Sequence, residues 1–177
     1  MTELKDDPIY RLLEKHYPNL LLDYAVFSAD LPYQGEVSHK EAAMAAILAF
    51  SHRHRVGNRY DPGPFTLEPD KMQAERYPAE LLFDIPDGSS PVKPGTIRYW
   101  YAYAEQPYPT GYPAEDFHRI NTVLFPEPFR NDLEVFRWND DFSSYFDDGK
   151  DWWGTYFWTI YDKHLQRFVI IGASLID

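Results

Sequence analysis

Not one cysteine occurs among the 177 residues. That absence removes disulfides, thiolate metal sites and cysteine nucleophiles together, and it fits a reducing compartment. Long apolar runs are missing too. The longest helical apolar segment, Ala42 to Phe50, is half of the ~18 residues expected for a membrane span. The opening Met1-Thr2-Glu3-Leu4-Lys5-Asp6-Asp7 has neither the basic start nor the apolar core of a secretory signal. The expected location is therefore the cytoplasm, with no membrane partner.

Positive charge is the next scarcity. Lys and Arg number 17 against 28 Asp and Glu, a net charge of −11. Such a field repels a phosphate backbone, so no nucleic-acid partner is expected. It suits solubility, and it also suits electrostatic steering toward a basic protein. Signatures of catalysis are lacking as well. There is no Gly-x-Ser-x-Gly elbow, P-loop, dinucleotide fingerprint or His-Glu-x-x-His, so no catalytic residue and no cofactor is assigned. Glu115 and His118 share a helix face beside Asp116, but such pairs are common on solvated helices. His52 and His54 point about 200° apart on a helix and do not share a metal there; complementing the helix dipole is their better account. His16, His39, His118 and His164 are scattered without ligand spacing and read as surface residues. Placing Gly149 at the sharp turn of a calcium loop puts Phe146 at a ligand position, which a hard cation does not accept. No metal is expected.

What the chain does contain is punctuation and aromatic residues. Asp7-Pro8 starts a short helix that Pro18 stops. Asn19 to Phe27 is apolar without a deciding period, either helix or strand. Ser38 and Glu41 have capping-box spacing, which predicts a helix over 39–54 with basic residues in its last turn and Gly57 beyond it. Residues 57–69 form a loop, and Asp70 is a candidate cap for a second helix reaching Tyr77. A turn-rich connector from Asp87 to Gly95 follows, too short and too central to divide the chain, so one domain over 1–177 is expected. Beyond it, Thr96 to Ala104 reads as a strand with Tyr99, Tyr101 and Tyr103 on one side. Packing against the helices is the ordinary explanation of such a ladder; stacking sugars or binding a peptide edge are the others. Residues 113–124 read as a helix, Leu133 to Trp138 as a strand, and 153–161 with 167–175 as a hairpin. Both hairpin strands are apolar at odd and even positions, as buried central strands are. The expected class is α+β, a helical N-terminal half packed on a mainly antiparallel C-terminal sheet.

The segment from Asn131 to Asp151 carries a net charge of −5, nearly half the total. Asp132, Glu134, Asp140, Asp141, Asp147, Asp148 and Asp151 are interleaved with Trp138, Phe142, Tyr145, Phe146, Trp152 and Trp153. Acids can steer a basic partner, and rings can anchor it. The predicted partner-binding set is Trp138, Asp140, Asp141, Tyr145, Asp147, Asp148, Asp151 and Trp152. The competing arrangement is a solvated acidic loop whose rings turn inward.

The C-terminal third reads Tyr145-Phe146-Asp147-Asp148-Gly149-Lys150-Asp151-Trp152-Trp153-Gly154, then Trp158 to Lys163 and Arg167 to Ser174. It resembles the ending of small acidic immunity proteins that accompany bacterial polymorphic or contact-dependent toxins. That resemblance implies stoichiometric inhibition of a cognate protein toxin, commonly a basic nuclease, by covering its active site. It brings no catalytic residues with it. The alternative is a small enzyme or carbohydrate-binding domain with a Tyr/Trp-lined cleft and convergent carboxylates.

Overall fold

The computed structural model describes residues 1–55, 63–86, 99–108, 110–150 and 154–174. In chain order the elements are β1 (Thr2–Glu3), α1 (Pro8–His16), β2 (Leu22–Ser28), α2 (Glu36–Arg55), β3 (Ala74–Tyr77), α3 (Tyr99–Ala104), α4 (Ala114–Leu124), β4 (Leu133–Trp138), α5 (Asp147–Lys150), β5 (Thr155–Asp162) and β6 (Arg167–Ser174). The strands form one six-stranded sheet in the order β1-β2-β6-β5-β4-β3, and each neighbouring pair is antiparallel. The class is α+β, with strands drawn from both halves of the chain.

The hairpin strands β5 and β6 sit at the centre, as their all-apolar pattern predicts. Alternation then divides the side chains between two cores. On one face Tyr24, Val26, Val135, Trp158, Ile160, Val169 and Ile171 meet Ile9, Tyr99, Phe117 and Ile120 from α1, α3 and α4. On the other face Ala25, Phe27, Phe136, Phe157, Phe168 and Ile170 meet Ala42, Ala43, Ala46, Ile47 and Phe50 of α2.

Helix α1 begins as its sequence predicts. Asp7 accepts a hydrogen bond from the Ile9 amide at 3.0 Å, and Pro8 fills the first turn, where no amide partner is needed. The other Asp7 oxygen pairs with Arg167 at 2.5 Å. Arg167 also donates to the Leu124 carbonyl at 2.7 Å, so one guanidinium joins α1, α4 and β6. The ambiguous 19–27 stretch resolves as a strand because β2 pairs with β6 from Leu22↔Ala173 to Ser28↔Arg167. Propensity does not settle that choice; a central strand in need of a neighbour does.

Three expectations fail. Helix α2 starts at Glu36, not after Ser38. Gly35 adopts φ +62° and begins the helix early, so the Ser38 hydroxyl accepts from the Gln34 amide at 2.8 Å and forms no capping box. The helix expected from Asp70 is instead a 3-10 turn at Pro69–Lys71, and Ala74–Tyr77 becomes the edge strand β3 against β4. The strand expected over 96–104 is helical where described. Helix α3 buries Tyr99, Ala102 and Tyr103 at i, i+3, i+4 spacing, which dissolves the tyrosine ladder. The expected connector 87–95 and Gly57 lie outside the described residues.

Gly172 in β6 permits a close approach. A Cβ built there would lie 2.7 Å from the Tyr145 hydroxyl and 3.2 Å from the Phe50 and Phe157 rings. Gly172→Ala should cost about 1–3 kcal/mol through overpacking. The check is a lower urea midpoint at unchanged denaturant slope.

Candidate functional site

Strand β4 ends at Trp138, and the chain then turns across the end of the sheet. Asn139 latches this turn to β3: its amide donates to the Gln73 carbonyl at 3.0 Å and its side-chain oxygen accepts from the Gln73 amide at 2.8 Å. Asp140 accepts from the Thr155 hydroxyl at 2.7 Å. Ser143 caps the 3-10 turn Ser144–Phe146 by accepting from the Tyr145 amide at 3.1 Å. Thr66 and Ser144 exchange amide-to-hydroxyl bonds of 2.9 Å in both directions. At the far end, the Gly149 amide donates to Ser174 Oγ at 3.2 Å. A Cβ on Gly149 would lie only 2.4 Å from the Gly154 carbonyl oxygen, so this tight turn requires glycine.

The rings of this segment point inward, which corrects their assignment as partner anchors. Phe142 and Phe146 are fully buried and Tyr145 and Trp138 nearly so. Helix α2 alone does not cover its face of the sheet, and these rings complete the cover. Phe142, Tyr145 and Phe146 meet Phe157 edge to face at 5.6–6.0 Å. Trp138 donates its indole N–H to Thr159 Oγ1 at 2.9 Å. Tyr145 donates to Asp23 at 2.7 Å. Asp151 and Trp152 lie outside the described residues.

The acids divide into two groups. Asp141, Asp147 and Asp148 are exposed and Asp140 is half-buried, all beside the end of β4 that carries Trp138. Lys150 approaches Asp141 at 3.6 Å, an exposed pair of little energetic weight. Asp132 and Glu134 lie toward the opposite end of β4, a six-residue strand about 20 Å long. There Glu134 is neutralised by Arg76 at 3.2 Å and Lys163 at 3.6 Å. The continuous charge of the sequence thus becomes an acidic ledge at one end and a paired cluster at the other.

Two polar assemblies escaped the sequence reading. His39, expected at the surface, is fully buried in α2. Its Nδ1 lies 2.8 Å from Thr159 Oγ1 and its Nε2 3.0 Å from the Tyr33 hydroxyl. The Trp138 indole can only donate, so Thr159 Oγ1 accepts from it and also meets His39 Nδ1. The Tyr33 hydroxyl on the other ring nitrogen faces Glu134. Burial lowers the His39 pKa to about 4, with Glu134 opposing that shift. A signal was present: His39, Ala42, Ala43, Ala46 and Phe50 fall on one helical stripe. The second assembly joins His54 to both Asp23 oxygens at 3.1 Å, with Tyr145 on the same carboxylate. Burial lowers the His54 pKa, but Asp23 outweighs it and the net direction is upward. This ion pair, rather than the helix dipole alone, accounts for His54.

Other expected groups are dispersed. His16, His52, His118 and His164 are exposed, the last stacked on Phe129 at 3.7 Å. Asp116 accepts from the Tyr17 hydroxyl at 2.6 Å. An open groove of about 540 Å³ runs along α1 between Lys5, Asp6, Arg11, Glu14 and Lys15, where opposite charges alternate. Among the described residues no three His, Asp or Glu converge as a metal-binding group, and no helix is long and apolar enough to cross a membrane.

Buried His39 and half-buried His54 shift in opposite directions. Lowering of the His39 pKa from its ordinary 6.5 to about 4 gives stability that is complete above pH 6.5. That stability is lost as pH falls toward 4, by about 3 kcal/mol at most. The raised His54 contributes below pH 6.5 and loses its contribution as pH climbs through its folded value. Urea titrations at pH 4.5–8 should therefore give a flatter acid limb for His39→Gln and a flatter alkaline limb for His54→Gln. Parallel curves for wild type and variants would contradict both assignments.

Compared with known proteins, this chain matches no family model, and no curated protein shows significant similarity to it.

Proposed function

We propose that this protein works by binding a basic protein partner on the acidic ledge of residues 140–148, as an immunity-type inhibitor of a cognate toxin. The single observation behind this reading is the arrangement of Asp141, Asp147 and Asp148. All three are solvent-exposed on a turn held from below by buried rings and by bonds to Thr66, Thr155 and Ser174. Charges on so well-fixed a support lose little entropy on docking, and their common sign raises the rate of encounter with a cationic surface. The affinity itself then comes from whatever apolar contacts the partner brings to the ledge and its rim. The resemblance of the C-terminal third to immunity proteins supplies the toxin as the partner class. The absence of cysteine and the net charge of −11 suit a cytoplasmic inhibitor of this kind.

The ladder of Tyr99, Tyr101 and Tyr103 no longer supports sugar binding, because Tyr99 and Tyr103 are buried on the core-facing side of α3. Two convergent carboxylates in a deep cleft remain the feature that would favour an enzyme.

Co-purification from cells that make the protein, followed by mass spectrometry, should recover a basic partner in stoichiometric amount. Against that partner, the double variant Asp147→Lys, Asp148→Lys should slow association by about tenfold or more at low salt. Its rate should also depend less on ionic strength. Association kinetics that match wild type would remove the ledge from the interface.

A further inference from the structure

Helix α2 has a second apolar face. Its inner stripe of His39, Ala42, Ala43, Ala46, Ile47 and Phe50 is buried against the sheet. On the opposite side Val37, Glu41, Met44 and Leu48 follow one another at spacings of four, three and four, the repeat of a coiled-coil seam. Val37 is 58% and Leu48 60% exposed, and Met44 is half-exposed. Three of the four seam residues are therefore apolar, with Glu41 the exception. Ordinary surface helices place a polar face there.

We propose that the outer seam of α2 is a self-association surface, occupied by the same seam of a second copy of this chain. Charge selects this occupant. Between Glu36 and His52 the helix carries one net negative charge, out of −11 for the chain, so two copies meet here with little net repulsion. Lys40 and Glu41 are adjacent, and neither has an ion-pair partner among the described residues. A second copy brings a free carboxylate to each lysine and a free ammonium to each glutamate. A uniformly basic partner would satisfy Glu41 and oppose Lys40. The small residues Ala45 and Ala49, half-exposed beside the seam, allow the two helices to approach closely.

The contact is modest. Twenty residues make a helix about 30 Å long, and one narrow stripe of that length buries less than a standard interface. The dimer should therefore be weak, forming over roughly 10–500 µM.

Sedimentation equilibrium across that range tests it. Wild type should pass from monomer toward dimer, and Val37→Glu with Leu48→Glu should shift the midpoint upward by about tenfold or more. Both positions are exposed, so circular dichroism and the melting temperature should hold. A native chain without cysteine allows a second readout that needs no equilibrium dimer. Met44→Cys should cross-link under mild oxidation, whereas Leu165→Cys, exposed in the β5–β6 turn, should not. Wild type that stays monomeric at the highest concentration, with equal cross-linking of the two cysteine variants, would overturn the proposal. This surface is independent of the acidic ledge. Asp147→Lys with Asp148→Lys should leave self-association intact, and Val37→Glu with Leu48→Glu should leave partner steering intact.

Discussion

A sheet buried on both faces dictates most of this molecule. Each central strand must supply apolar side chains in both directions, and each face must then be covered by something else. One face receives α1, α3 and α4. The other receives α2, which is long but single, and the remaining area is closed by Phe142, Tyr145 and Phe146. That demand for cover explains why the aromatic residues of the acidic segment turn inward while its carboxylates stay in water. The rings gain far more from burial than a solvated loop would give them. The carboxylates cannot follow, because an unpaired buried charge is too costly.

The same constraint governs the polar groups caught inside. Thr159 lies in the middle of β5 on the α2 face, where a hydroxyl without partners would be destabilising. It is served by both the Trp138 indole and His39. Tyr24 and Tyr99 bond each other across the opposite core. Asp162, almost fully buried, caps the β5–β6 turn by accepting from the His164 and Leu165 amides at 2.9 Å. These bonds make the buried polar atoms part of the packing, and they draw residues remote in sequence to common points.

Charge is sorted by the direction of β4. One end meets Arg76 and Lys163 and is neutralised at Glu134. The other end meets the turn at 139–148, where, among the described residues, Lys150 is the cation paired with an acid of the ledge. A strand of six residues is long enough to separate the two ends by more than a Debye length at physiological salt. The ledge therefore acts on a partner as a unit of its own, and the neutralised cluster adds little to its field.

The residues themselves determined what local physics can determine. Asp7-Pro8 marked the start of α1, the period of 113–124 marked α4, and the two-sided apolar pattern of 153–161 and 167–175 placed that hairpin at the sheet centre. Each of those signals is enforced within a few residues by an amide needing a partner or by a strand needing both faces buried. Tertiary structure decided the rest. Ala74–Tyr77 became a strand because β4 offered an edge, and Tyr99–Ala104 became a helix because its 99, 102 and 103 positions fit the core. His39 went inside because Thr159, 120 residues away, had a hydroxyl to share. Whether Trp138 and Tyr145 faced a partner or the core depended on how much of the sheet α2 left uncovered. Coverage is a sum over the whole fold, and no single segment of the chain records it.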